Sequence, residues 1–191
     1  MGPTTWVAVL SLTVLIPAGC APAAAVSTSS SSGYSRAQFG RDYVDVDRDG
    51  CDTREELLTA PGPCPPHADN NITITDPYSG ETVTGRTRID VEHIIPLHWI
   101  WQHGANRWTM SRRVGFANDY DSADGVNNAI LASSHQNRSK GDRGPSGWLP
   151  PDRSRWCWYA DRWDRLFMEY QVVLPVTDPD AVTLTAIRRT C

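Results

Sequence analysis

The clearest periodicity in the chain lies near its end. Trp156, Tyr159, Ala160, Trp163, Phe167 and Tyr170 recur at i, i+3, i+4, i+7, i+11 and i+14, which places them on one face of a helix. Asp178-Pro179 then opens a last helix with proline at its first position, and Leu184, Ile187 and Cys191 share a face of it. Upstream the patterns are shorter. Residues 82–95 are rich in Thr, Val and Ile and read as one or two strands. Residues 129–132 read as a short strand, after which Ser134 can cap a short helix carrying Gln136, Asn137 and Lys140. Residues 53–60 predict a helix capped by Asp52 or Thr53 and stopped before Pro61. Residues 99–119 mix Trp and Arg and read as helix and loop. Residues 145–151 are extended or turned, and residues 34–79 are acidic and turn-rich.

Residues 6–16, WVAVLSLTVLI, form an uncharged run too short to span a hydrocarbon core of ~30 Å. With the small residues that follow, it reads as the apolar part of an export signal. Two endings compete: Ala23-Ala24-Ala25 is an ordinary cleavage site, and Ala18-Gly19-Cys20 resembles a bacterial lipobox with Cys20 as the lipidated residue. The expected layout is a leader at 1–25, a Ser-rich linker at 26–33 and one domain at 34–191. The chain is then secreted, or attached to the outer face of a bacterial membrane through a lipid on Cys20.

Removing the leader turns five cysteines into four: Cys51, Cys64, Cys157 and Cys191. In an oxidising compartment these make two disulfides, with three connectivities possible. Cys51–Cys64 and Cys157–Cys191 are favoured because each closes a local loop. The absence of any C-x-x-C pair argues against a zinc ribbon.

The net charge of −4 argues against binding nucleic acid by bulk charge. The charge is uneven, however. Residues 34–80 hold 9 acids and 4 bases, whereas residues 81–155 hold 8 acids and 10 bases. Any polyanion site therefore belongs to the later part. Seventeen of the bases are Arg, and the one lysine is Lys140.

The segment most unusual in its chemistry is Asp90-Val91-Glu92-His93-Ile94-Ile95-Pro96-Leu97. A carboxylate beside a histidine at a strand end points the two side chains to opposite faces unless the backbone bends. The second such segment runs from Asn128 through a short apolar strand to Asn137-Arg138-Ser139-Lys140-Gly141-Asp142.

Together the two segments resemble the HNH nuclease motif of the ββα-metal (His-Me finger) fold. The form most like this one is the HNH-type domain at the C-terminus of GmrSD-like restriction enzymes and in secreted actinobacterial proteins. Gly104-Ala105 with Trp108, residues 116–119 and residues 148–151 extend the resemblance in order along the chain. It implies an α+β fold, a small ββα-metal core decorated by helices. It also implies a role for each matching residue. His93 is the general base, Glu92 the first metal ligand and Asn137 the last. Asn128 ties the loop to the strand and orients the base, and Lys140 lies near a phosphate. Asp90, two residues before Glu92, supports the metal shell or the base. Phosphodiester hydrolysis needs these types: a neutral His near pH 7 to take a proton from water, and a hard cation such as Mg²⁺ or Mn²⁺ on oxygen ligands. Arg138 and Arg143 head the candidate phosphate contacts, with Arg86, Arg88, Arg107, Arg112 and Arg113 behind them. Trp99, Trp101 and Trp108 read as core before base-stacking platforms, and His67, His98, His103 and His135 as structural or exposed.

A separate run, Asp45-Val46-Asp47-Arg48-Asp49-Gly50 continuing to Glu56, follows the spacing of a calcium loop. Asp52 at the usual apolar position and Cys51 within the loop fit a solvated acidic turn instead.

Three functions follow from these residues. The first is an exported, metal-dependent HNH endonuclease acting on nucleic acid, with DNA favoured and a monomer expected. The second is an HNH-like surface binding module that does not cleave. The third is a hydrolase of another phosphodiester.

Overall fold

The computed structural model describes residues 1–2, 33–40, 42–59, 70–121 and 125–191. All but the first two residues of the expected leader, Cys20 among them, and most of the linker lie outside the described residues, as do Cys64 and His67.

The predicted aromatic stripe becomes helix α5, Trp156–Glu169 in chain order after four shorter helices. Tyr159, Ala160, Trp163 and Leu166 are buried, and Trp156, Phe167 and Tyr170 are half-buried against the same core. The last helix, α6, spans Pro179–Arg188, with the Asp178 carboxylate accepting from the backbone N–H of Asp180 and Ala181. Cys157 in α5 and Cys191 beyond α6 form the expected disulfide, with Cα atoms 5.7 Å apart. Cys51 is also disulfide-bonded.

The α5 aromatics meet the segment that follows the Glu92-His93 pair. There α2 (Leu97–Gln102) buries Leu97, Trp99 and Ile100. The Trp99 ring meets Trp163 edge-on at 4.9 Å, and its indole N–H donates to Asp180 at 2.7 Å. Trp101 and Trp108 pack on the same core, so the three tryptophans are core residues. Helix α3 (Met110–Ala117) buries Arg113, Phe116 and Ala117.

Strand β3 (Ile89–His93) pairs antiparallel with β4 (Ala129–Ser133), setting Glu92 opposite Ile130 and His93 opposite Ala129. The connection between them, residues 94–128, carries α2 and α3. Strand β4 runs without a break into α4 (Ser134–Lys140). The cap of α4 is Ser133, whose hydroxyl accepts from Gln136 N–H at 3.2 Å, not Ser134 as expected. Ser133 is both the last strand residue and the cap because its φ/ψ of −62°/139° is still extended. The result is a strand pair followed directly by a helix.

A second antiparallel pair joins β1 (Thr73–Thr75) to β2 (Thr82–Thr84), with Ile74 opposite the buried Val83. Strand β1 lies in the segment read as turns, and three residues are too few to show alternation. Helix α1 (Thr53–Leu58) begins at a capping box in which Asp52 and Glu55 bond each other's backbone. It places Leu58 with Val83 and Ile89 in a small second cluster. The architecture is therefore α+β: two small sheets, six α-helices and four short 3-10 helices among the described residues. No described helix is long and apolar enough to cross a membrane.

Candidate active site

His93 ends β3, and the chain turns at once through Ile94 and Ile95. Asn128, fully buried at the entry to β4, holds that turn. Its Oδ1 accepts from Ile95 N–H at 2.9 Å, its Nδ2 donates to Phe116 O at 3.3 Å, and its own carbonyl accepts from Ile94 N–H at 2.9 Å. One short amide thus ties the strand end to the last turn of α3.

That last turn also orients the imidazole. The final carbonyls of a helix have no partner within it, and the Ala117 carbonyl, last in α3, lies 2.8 Å from His93 Nε2. A carbonyl only accepts, so Nε2 carries the hydrogen and Nδ1 keeps its lone pair. Among the described residues no hydrogen bond reaches Nδ1. His93 is half-buried beside a cavity of about 260 Å³ whose lining includes Tyr34, Arg36, Tyr43, Asn137 and Asp142. Burial lowers its pKa to about 4, with the charges of Arg36 and Lys140 acting in the same direction and the Ala117 bond opposing. The ring is neutral at pH 7, the state that accepts a proton.

Glu92 and Lys140 depart from their expected places. Both are buried, at 2 % and 1 % side-chain exposure, and Lys140 Nζ lies 2.5 Å from Glu92 Oε1. The same ammonium donates to the His93 carbonyl at 2.8 Å, and the Tyr78 hydroxyl donates to Glu92 Oε1 at 3.0 Å. Burial pushes the Glu92 carboxyl up while Lys140 and Tyr78 pull it down, and the close approach is that of an ion pair. In this arrangement Lys140 is inside the protein rather than on a phosphate, and Glu92 holds Lys140 rather than a cation. The lysine is drawn in because α4 packs its buried face on β3, where Glu92 needs a counter-charge.

Asp90 meets α4 at the next pleat. Asn137 Nδ2 donates to Asp90 Oδ2 at 3.3 Å, and Arg138 Nε lies 3.8 Å from the same oxygen. Asp90 and Asn137 bring a carboxylate and an amide together, with the amide nitrogen toward Asp90; a flip of the Asn137 amide would offer two oxygen donors. That suits Mg²⁺ or Mn²⁺, which keep several waters and take further oxygens from substrate. Arg143 is exposed and donates through Nε to the Lys140 carbonyl at 3.0 Å, capping α4.

The calcium-loop residues also gather. Carboxylate oxygens of Asp45, Asp47 and Asp49 lie within 4.8 Å of one another, and Glu56 joins Asp49 and Cys51 in a second such group. Gly50, at φ +102°, makes the turn and donates to Asp45 Oδ2 at 3.0 Å. The disulfide on Cys51 removes its sulfur as a thiolate ligand.

Sequence reading did not find Tyr78, the Ala117 carbonyl, or the Tyr34 and Arg36 side of the cavity. Of the remaining histidines, His98 bonds Asp142 and stacks on Tyr34, and His103 stacks on Trp99.

No known family model and no solved structure matches the chain. A curated relative does: a protein of Arthroderma benhamiae described as an uncharacterized secreted protein. It is 34% identical over 164 residues, which cover 83% of this chain and 76% of the relative. The chain belongs to the family of that secreted protein, and is itself a secreted protein.

Proposed function

We propose that this secreted protein is a metal-dependent HNH-type endonuclease, with DNA as the favoured substrate. The observation that carries the reading is the imidazole of His93, anchored through Nε2 on Ala117 with Nδ1 unbonded beside a cavity. In this role Nδ1 takes the proton from a water that attacks the phosphorus. Asn128 keeps the strand end, and so the ring, in register with α3. Asp90 and Asn137 would hold the cation, which would supply charge neutralisation at the phosphoryl oxygens and the departing alkoxide. The buried Glu92–Lys140–Tyr78 network fixes the backbone on which His93 sits. Arg138 and Arg143, both exposed, are the phosphate contacts. Calcium in the Asp45, Asp47, Asp49 and Glu56 loop belongs to the same proposal, as does a lipid on Cys20 where the leader is cut before that residue and not after Ala25.

The test is degradation of plasmid DNA with Mg²⁺ or Mn²⁺, compared with the His93→Ala variant. A second reading, a binding module without cleavage, is favoured by one observation: the carboxylate expected on the metal is committed to Lys140. Absence of cleavage of DNA, RNA and small diesters across divalent metals would select that reading.

A further inference from the structure

The turn just after the expected linker supplies one wall of the His93 cavity. Arg36–Phe39 is a single turn of 3-10 helix, outside the segments that resemble the HNH motif. Phe39, fully buried, meets Trp101 edge-on with ring centroids 6.2 Å apart, which pins the turn to the core. Arg113 of α3 holds it as well: Nε donates to the Gln38 carbonyl at 2.8 Å and Nη2 to Gln38 Oε1 at 3.3 Å. Helix α3 also carries the Ala117 carbonyl that bonds His93 Nε2, so one helix positions both Arg36 and the imidazole.

Two cations line the cavity, Arg36 and Lys140. Lys140 is committed to Glu92, and the other lining carboxylate, Asp142, bonds His98 at 3.2 Å. Arg36 makes no ion pair among the described residues. Its Nη1 donates to the Phe39 and Gly40 carbonyls at 3.2 and 3.0 Å, which holds the guanidinium in place. The N–H groups of Nε and Nη2 have no hydrogen bond among the described residues. A half-buried guanidinium with free donors and no counter-ion, beside a neutral imidazole, is a place for an anion.

We infer that Arg36 is a catalytic residue of this site, donating to the non-bridging oxygens of the phosphoryl group that is attacked at His93. The inference rests on the nuclease reading above and adds to it a group from outside the resembling segments. In the step, the water oxygen bonds to phosphorus and its proton passes to His93 Nδ1. The ester P–O bond breaks, and the departing alkoxide takes a proton from solvent water. Arg36 keeps its protons throughout. Negative charge gathers on the phosphoryl oxygens as the step proceeds, so a fixed guanidinium binds the transition state more tightly than the substrate.

The test is cleavage of a labelled DNA duplex by the secreted chain with Mg²⁺ or Mn²⁺, across a range of DNA concentrations. Arg36→Gln should lower kcat by about 10²–10³-fold with KM nearly unchanged. Its stability in urea should stay within about 1.5 kcal/mol of the native chain, because the bonds it loses are those of Nη1. Arg36→Lys, which keeps the charge without the fork, should retain part of the rate. Guanidinium ion, well below denaturing concentration, should restore part of the rate to Arg36→Ala and none to His93→Ala; a structural role would not respond this way. Native kcat in Arg36→Gln, a loss confined to KM, or a loss that neither Arg36→Lys nor guanidinium relieves would overturn the inference. Native kcat in Arg36→Gln while His93→Ala is inactive overturns the inference alone. Cleavage undiminished in His93→Ala, or absent in the native chain, overturns the nuclease reading and the inference with it.

Discussion

Replacing Lys140 with Met keeps the volume of a fully buried stem and removes its charge. Glu92, 2 % exposed, then faces the interior with only neutral partners, the Tyr78 hydroxyl and the His93 backbone N–H. Breaking a buried pair from one side costs about 3–5 kcal/mol, because the remaining ion is uncompensated. The lost hydrogen bond to the His93 carbonyl adds about 1 kcal/mol. Against a typical total of ~5–15 kcal/mol, the variant should lose about a quarter or more of its stability in urea unfolding at pH 7. Adding Glu92→Gln, which leaves Tyr78 an acceptor, should restore more than half of the loss. The pH response has a definite sign. Burial already holds the folded Glu92 carboxyl above its unfolded value, and loss of Lys140 raises it further, so the folded variant binds the extra proton over a wider range. Relative to the native chain, Lys140→Met should gain stability on acidification from pH 7 toward pH 5. A loss below about 1 kcal/mol at pH 7, or no rescue by Glu92→Gln, would refute the reasoning, because either would mean that the pair is not a buried pair of charges.

Three further outcomes follow from other groups. His93 has a folded pKa lowered from 6.5 to about 4, so the unfolded state binds more protons between these values and stability falls as pH falls through that window. The loss approaches roughly 3 kcal/mol at pH 4, and the His93→Gln variant should show a flatter pH–stability profile. A Cβ on Gly144 would sit 2.3 Å from Asp180 Oδ2 and 2.5 Å from Trp99 Nε1. Gly144→Ala should therefore cost about 1–3 kcal/mol or more in chemical denaturation, and a neutral substitution would mean that the Trp99–Asp180 strut is loose. For the acidic loop, about 10 mM Ca²⁺ over EDTA should raise the melting midpoint by several degrees, as a site of about 10⁻⁴–10⁻³ M affinity then gives about 1–3 kcal/mol of linkage. Coincident melts would leave the loop a solvated turn.

The helices were legible where long stretches repeat a face: the α5 stripe appears in the order expected, and Cys157 is bonded to Cys191. Strand β1 was not, because three residues of Thr-Ile-Thr carry no period and owe their conformation to pairing with β2. Around His93 the residue types were readable but their directions were not. Strand alternation says that Glu92 and His93 point apart, and leaves open which of them faces inward. Packing of α4 on β3 decides it, drawing Lys140 onto Glu92. Tyr78 comes to that pair from 14 residues upstream, and nothing local in the sequence marks it. The Ala117 carbonyl is backbone and has no sequence signature; only the end of α3 places it 24 residues from His93 in the chain and 2.8 Å from it in space.

The central claim is that His93 is the base of a phosphodiester-cleaving site. Its most direct measurement is the rate of plasmid DNA cleavage by the secreted chain with Mg²⁺ or Mn²⁺, set beside that of His93→Ala of verified fold. Loss of general-base help is worth about 10²–10⁴-fold, so the variant should fall by at least that lower bound. Cleavage by His93→Ala at the native rate would contradict the account.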